Sequence, residues 1–514
     1  MSSNRVLTDI DILWRIFEYS DSSQNYHNAL VSKIWSNEAL SILWRNLDLL
    51  LPLLSLLGPM TLVSKQHELP YYKYVRLIRS EDWAVFRRYS SRVRSIRHMW
   101  PHPSFSDSVF MDIIIASRVS FSFELLPNLQ RLSSDDNPFI EKWMPLFINK
   151  SLSALYIHAS GSADMHLLTR TLSHLPNLCP NLRGLSLMTE LQLDDAPQFD
   201  EALSSLLLLQ EISISSTLLS LSTVNTLAHL PHLEIFTIIA DDIDEEWTLP
   251  AMPLPDAFPS LTTFSSETAG FRCIASFLEA YEPRELRTLH VHSVGTESHT
   301  TYHSVFAAVA SACPNIKDIC LQILIAGHIE VSHQFSTPLL SVIPCHILDL
   351  TSLELGSPPP LKLDVDCMKT LLTALPSLHT LKLVETTGPP TLPLSALSEL
   401  APLCPGMRFL TLYVDTKHVS ASAPPDGAIF PCLEVLDVLL SPLESPARNV
   451  AMFLGSVLPL ACVVKRLHGK DRADDMRWEP VIDFLPLIFE LRGAKQASGA
   501  VTALDDETQF SLCI

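Results

Sequence analysis

Leu375-Pro376-Ser377-Leu378-His379-Thr380-Leu381-Lys382-Leu383 is the stretch from which the fold is read. Close copies are Cys179-Pro180-Asn181-Leu182-Arg183-Gly184-Leu185-Ser186-Leu187 and Cys404-Pro405-Gly406-Met407-Arg408-Phe409-Leu410-Thr411-Leu412. Aligning the first apolar residue of each L-x-x-L-x-L phrase gives Leu129, Leu152, Leu182, Leu209, Leu233, Leu261, Leu286, Ile316, Leu350, Leu378, Met407 and Leu433. These are 11 steps over 304 residues, a mean period of about 28. Side chains alternate along a strand, so the first, fourth and sixth residues of a phrase share the core side. Helical runs lie between phrases: Met165 to Leu175, Phe271 to Tyr281, Tyr302 to Cys313 and Met368 to Leu375.

One strand and one helix per period of this length is the pattern of leucine-rich repeats. The expected fold class is therefore α/β, a leucine-rich-repeat solenoid with a curved parallel sheet inside and helices outside. Four regions follow: 1–50, a small three-helix unit; 51–120, a connecting region with a first degenerate repeat at Val93; 121–470, the solenoid; 471–514, a C-terminal cap and acidic tail. A buried Leu contributes about 1.5–3 kcal/mol in such a core.

Of the 514 residues, 47% are hydrophobic. A continuous repeat core absorbs that fraction without a membrane, and the longest apolar run, Leu47 to Met60, is interrupted by Asp48 and Pro52. Asp9 and Asp11 stand where a signal peptide would be apolar, so no secretion signal is expected. The formal charge of −20 opposes non-specific nucleic-acid binding and suits either solubility or a basic partner. Ten cysteines without a C-x-x-C spacing suggest reduced thiols in the cytoplasm or nucleus. Cys179, Cys313 and Cys404 precede Pro at one repeat position, where a small apolar residue closes a helix end.

In the first 50 residues, Ile12, Leu13, Ile16 and Phe17 share a helical face, and Ser20 to Ser23 break it. Ala29-Leu30-Val31 with Ile34-Trp35 form a second short apolar stretch. Asn37 is a plausible cap for an amphipathic helix carrying Ala39, Leu40, Leu43, Trp44 and Leu47. Three short helices bury too little surface to stand alone, so this unit needs either the repeats or another protein as partner.

Ile16-Phe17-Glu18-Tyr19, Ala29-Leu30-Val31-Ser32-Lys33-Ile34-Trp35 and Leu43-Trp44-Arg45-Asn46-Leu47 resemble, in order and spacing, the F-box. The family's opening Leu-Pro falls here on Thr8-Asp9. The resemblance covers residues 8 to 50 and implies docking on the Skp adaptor, and through it on a cullin. The adaptor contacts it implies are Ile12, Leu13, Ile16, Phe17, Leu30, Val31, Trp35, Leu43 and Trp44. The chain would then be the substrate-recognition subunit of an SCF-type cullin–RING ubiquitin ligase. The alternative is a protein-binding scaffold whose N-terminal helices only cap the repeats.

Target binding belongs to the residues between the core positions. Expected on the concave surface are, among others, Ser215, His290, His292, Cys320, Gln322, Lys382, Thr411, Tyr413 and Leu439. His290, His292, Gln322, Lys382 and Tyr413 are the target-binding candidates, and the weakly polar mixture suits a protein surface. The arginines from Arg76 to Arg97 fit the solvated side of a helix starting at Ser80 better than a phosphate-binding patch. His290, His292, His299 and His303 have spacings a metal could use, though unliganded surface histidines match them as well. Glycine-rich phosphate loops and nucleophile elbows are missing, so no catalytic residue, metal or cofactor is expected. Insertions at Asp241–Trp247, Gly327–Pro338 and Ser420–Pro431 interrupt the period.

Overall fold

The computed structural model describes residues 9–64, 70–98, 104–119, 124–134, 143–159, 165–189, 196–239, 254, 256–267, 269–294, 297–323, 349–357, 363–385, 389–419, 429–466 and 477–494. The chain divides into two compact units, Met1–Asp242 with Phe258–Ser260, and Ile243–Ala257 with Leu261–Ile514. In the first, β1 (Asn46–Leu47), β2 (Ser95–His98), β3 (Arg131–Ser134), β4 (Ala154–Ala159), β5 (Gly184–Thr189), β6 (Glu211–Ser215) and β7 (Ile235–Ile239) pair in chain order. Every pair is parallel. In the second, β8 (Thr263–Ser266), β9 (Thr288–Ser293), β10 (Asp318–Ile323), β11 (Ser352–Ser357), β12 (Thr380–Glu385), β13 (Phe409–Thr411), β14 (Val435–Asp437) and β15 (Val463–Lys465) do the same. Each strand pairs with the strand one repeat further on, which is the connectivity of an α/β leucine-rich-repeat solenoid.

The register explains why the phrase recurs. Leu353 faces Leu381, Leu381 faces Leu410, and Leu410 faces Leu436, so equivalent phrase positions stack. Every one of the twelve phrase-opening residues is buried, Ile316 and Leu433 at 2% exposure being the least so. The fourth residues, such as Leu185, Ile212, Phe236 and Leu381, are equally hidden. Two further strands, β1 and β15, extend the ladders beyond the phrases recognised in the sequence. Neither has a full L-x-x-L-x-L.

The helices begin where a cap precedes the apolar stripe. A helix over His299–Ala312 starts three residues before Tyr302, because Ser298 Oγ accepts the Thr301 amide at 3.3 Å. Likewise Asp364 caps Val365–Ala374 through the Cys367 amide at 2.7 Å. The helix Phe271–Tyr281 has the expected limits. Cys179, Cys313 and Cys404 close helix ends as expected, and burial pushes each thiol up to about 12. They are buried packing residues. The apolar stretch at Leu50 to Pro59 is a short helix and a 3-10 turn with Leu50, Leu53, Leu54 and Leu57 buried.

Candidate functional site

The N-terminal unit consists of α1 (Ile10–Glu18), α2 (Ser22–Asn28) and α3 (Lys33–Leu43). Asp9 caps α1, its Oδ1 accepting the Asp11 amide at 3.1 Å and the Ile12 amide at 3.4 Å. An acidic cap thus occupies a place where the F-box carries its opening Leu-Pro. Asp21 caps α2 through Gln24 N at 2.7 Å, and Ser32 caps α3 through Trp35 N at 3.2 Å.

Several sequence-based expectations change here. The third helix starts after Ser32, not at Asn37, and ends at Leu43; Leu47 leaves it to enter β1, facing Ile96. The break at Ser20 to Ser23 instead opens α2, a helix polar throughout, and Leu30 and Val31 lie in the turn after it. α2 is fixed by Asn25, which is buried and donates through Nδ2 to the Phe17 carbonyl at 2.8 Å and the Ser20 carbonyl at 3.2 Å. A polar side chain thereby does what an apolar stripe does elsewhere.

The apolar residues of α1 point two ways. Leu13 and Phe17 are fully buried and form the core of this unit with Ala39, so they are not available for contact with an adaptor. Ile12 and Ile16 face outward, as do Leu30 at 70% exposure, Val31 at 62% and Ile34. Trp35 is half-buried, edge-on to Phe17 with centroids 5.3 Å apart. Leu43 is half-buried, and Trp44 leans on Tyr89 of the helix Ser80–Ser90, centroids 4.8 Å apart.

The same side of the unit is tied to the repeats. Arg92 donates to the Asn37 carbonyl at 2.8 Å, to Asn37 Oδ1 at 2.7 Å and to Ser41 Oγ. The Arg45 carbonyl accepts the amides of Arg94 at 2.8 Å and Ser95 at 3.0 Å. Within the arginine-rich stretch, Arg76 grips Asp82 with two bonds of 2.6 and 2.8 Å, and Arg94 donates to the Ser91 carbonyl at 3.0 Å. Arg76, Arg92 and Arg94 are therefore structural, and the stretch does not form a single phosphate patch. Trp83, Phe86 and Val93 are buried as expected.

On the strand faces of the second unit, the fifth phrase positions run Ser265, His290, Cys320, Glu354, Lys382, Thr411, Asp437. His290 Nε2 lies 3.2 Å from Asp318 Oδ2, and Lys382 Nζ lies 2.7 Å from Glu354 Oε2. Gln322 Nε2 donates to the other oxygen of Glu354. Burial works against ionisation of Asp318, but hydrogen bonds from His290 and Ser352, with the charges of His290 and Lys382, hold its carboxyl below the usual range. The Glu354 bond holds Lys382 above the usual lysine value against the opposing effect of burial. Three of the five target-binding candidates, His290, Gln322 and Lys382, thus belong to one cross-strand polar cluster. His292 stands beside Gln322 in the register, and Tyr413 follows β13, partly buried.

Ser215, Cys320, Thr411 and Leu439 are buried and do not present a contact surface. Ser215 Oγ instead accepts the Thr189 amide at 2.8 Å, and Leu439 has left the strand with a φ of 51°. Asp318 and Glu354, which hold the cluster together, were not singled out in the sequence. Both occupy non-core phrase positions, the third and the fifth, which is the signal that could have found them.

Among the described residues no group of three or more His, Cys, Asp or Glu could hold a metal ion, and the His299 side chain lies outside them. Asp241–Trp247, Gly327–Pro338, most of Ser420–Pro431 and the tail beyond 494 also lie outside the described residues. No described helix is long and apolar enough to cross a membrane.

No protein-family model matches the chain, and no curated protein does. Solved structures are similar to it at low identity. The TLR13–ssRNA13 complex is 15% identical over 67% of this chain and 51% of that chain, with a TM-score of 0.32. The Toll–Spatzle complex of Drosophila is 13% identical over 75% and 45%, with a TM-score of 0.35. The leucine-rich-repeat protein LegL7 from Legionella pneumophila is 13% identical over 49% and 89%, with a TM-score of 0.26. The chain spans about half the length of the first two. At such TM-scores the likenesses carry no argument, and the fold class stands on the strand ladders themselves.

Proposed function

We propose that this chain is the substrate-recognition subunit of an SCF-type cullin–RING ubiquitin ligase, working in the cytoplasm or nucleus. Residues 8–50 dock on the Skp adaptor, which connects to the cullin, and the strand faces of the repeats hold a target protein. The chain carries no active site of its own in this reading. Its contribution is to raise the effective concentration of the target beside the charged ubiquitin carrier.

One observation carries the proposal. Ile12, Ile16, Leu30, Val31 and Ile34 are exposed on a unit that has already closed its own core around Leu13, Phe17 and Ala39. Large apolar side chains left outside a closed core mark an interaction surface. They coincide with segments in which the F-box resemblance places adaptor contacts. The scaffold reading draws on the contacts of Trp44 and Arg92 with the repeat side, which are those of a cap. A unit serving only as a cap, however, has no use for five exposed aliphatic side chains.

The test is co-expression with the Skp adaptor and affinity purification. The intact chain retains the adaptor, and Leu30→Asp with Val31→Asp loses it while the chain stays folded. Absence of association, or association untouched by that double substitution, removes the ligase reading and leaves the scaffold.

A further inference from the structure

The strand face of the first unit differs chemically from that of the second. Its fifth phrase positions run Arg97, Ser133, Tyr156, Ser186, Ser213, Thr237. Third positions run Ser95, Arg131, Ala154, Gly184, Glu211. Tyr156 has small neighbours in the register: Ser133 and Ser186 flank it across the strands, and Ala154 and Gly184 lie two residues upstream. With neighbouring strands about 4.8 Å apart, Ser133 and Ser186 leave an open hollow beside the ring. Its volume is about 470 Å³, and Arg97, Arg131, Tyr156 and His158 are on its walls. That size is within the usual range for ligand sites.

The charges in this hollow are unmatched. Arg97 and Arg131 are exposed, and neither makes a salt bridge or side-chain hydrogen bond among the described residues. Both line the same hollow as Tyr156. Asp48 is the one acidic residue on the wall, and Glu211 stands two strands beyond Tyr156. Burial pushes the Tyr156 phenol up, Glu211 adds to the rise, and the two arginines oppose it; the hydroxyl keeps its proton and can donate. Among the described residues the two guanidinium groups and the phenol O–H have no internal acceptor, and a guanidinium matches a planar or tetrahedral oxyanion bidentately.

We propose that the hollow formed by Arg97, Arg131 and Tyr156 captures an acidic segment of a polypeptide target through a side-chain oxyanion. The inference deepens the receptor reading and rests on it for the target being a protein.

The test uses the full-length chain and three fluorescein-labelled peptides of one frame, with Glu-Glu, phosphoserine-phosphoserine or Ser-Ser at the centre. Fluorescence anisotropy is expected to show at least one acidic peptide binding about tenfold or more tighter than the serine peptide, as charge-assisted bonds require. Comparing the two acidic peptides tells carboxylate from phosphate. The double substitution R97Q/R131Q, checked by circular dichroism, is expected to abolish the preference. As a measurement independent of any variant, added salt should weaken the acidic peptide and leave the serine peptide unchanged. Equal binding of acidic and serine peptides, a preference that survives R97Q/R131Q, or one indifferent to salt overturns the proposal. Adaptor association is scored separately on the wild-type chain. A chain that holds the adaptor without an acidic preference loses only the hollow, and one with the preference but no adaptor loses only the ligase reading.

Discussion

The N-terminal helices and the repeats use the same aliphatic residues and place them oppositely. In the repeats, Leu185, Leu353 and Leu381 are buried to 1% exposure or less because the next strand brings an equivalent residue alongside. In the N-terminal unit, Leu30, Val31 and Ile16 stay at 70%, 62% and 49% because the core they could have joined is already closed by Leu13, Phe17 and Ala39. The difference teaches that residue type does not settle burial in this chain. Stacking does, and an aliphatic side chain beyond the reach of a neighbouring coil is available to another molecule.

The strongest way to break this comparison is to truncate a stacked leucine. Leu185→Ala and Leu381→Ala should each cost about 2–5 kcal/mol in urea unfolding, since both leave cavities in close-packed surroundings. A cost near zero for either would mean that the ladder positions are not a core.

Packing tightness is sharpened by Gly455 in the helix Ala447–Val457, where an added Cβ would come within 2.4 Å of Ile488 Cγ2 on the helix 477–494. Gly455→Ala should lower stability by about 1–3 kcal/mol through overpacking, read in the same unfolding experiment. Combining it with Ile488→Ala should recover much of the loss, and no recovery would point to a different contact.

The polar cluster of the second unit gives a pH dependence. Asp318 is held below its ordinary value in the folded chain, so its contribution is present above the unfolded carboxylate value of about 4 and is lost as pH falls through the lower folded value. Acid unfolding should therefore be less steep in Asp318→Asn than in the parent chain between those values. Equal slopes would show that the pairing with His290 and Ser352 adds no stability.

The smallest effect is expected where the comparison says side chains are unneeded for folding. Leu30→Asp should change unfolding free energy by no more than about 0.5 kcal/mol, as at other exposed positions. A loss comparable to that of Leu185→Ala would place Leu30 in a core.

The repeat fold was legible because a parallel ladder demands the same residue type at the same phrase position every coil. Strands β1 and β15 escaped because a two- or three-residue terminal strand carries too little of the phrase. In α1 the spacing of Ile12, Leu13, Ile16 and Phe17 defines two adjoining stripes, and sequence alone does not say which one turns inward. α2 escaped because Asn25, not an aliphatic stripe, holds it. The surface chemistry was least legible. His290 meets Asp318, and Arg97 comes to share a hollow with Tyr156, only through the register of strands about one repeat or more apart in sequence.

The central claim is tested most directly by co-purifying the intact chain with the Skp adaptor, beside the Leu30→Asp, Val31→Asp variant. The account predicts a stoichiometric complex with the intact chain and none with the variant, at equal folded yield. Equal recovery of adaptor with both chains, or with neither, would contradict it.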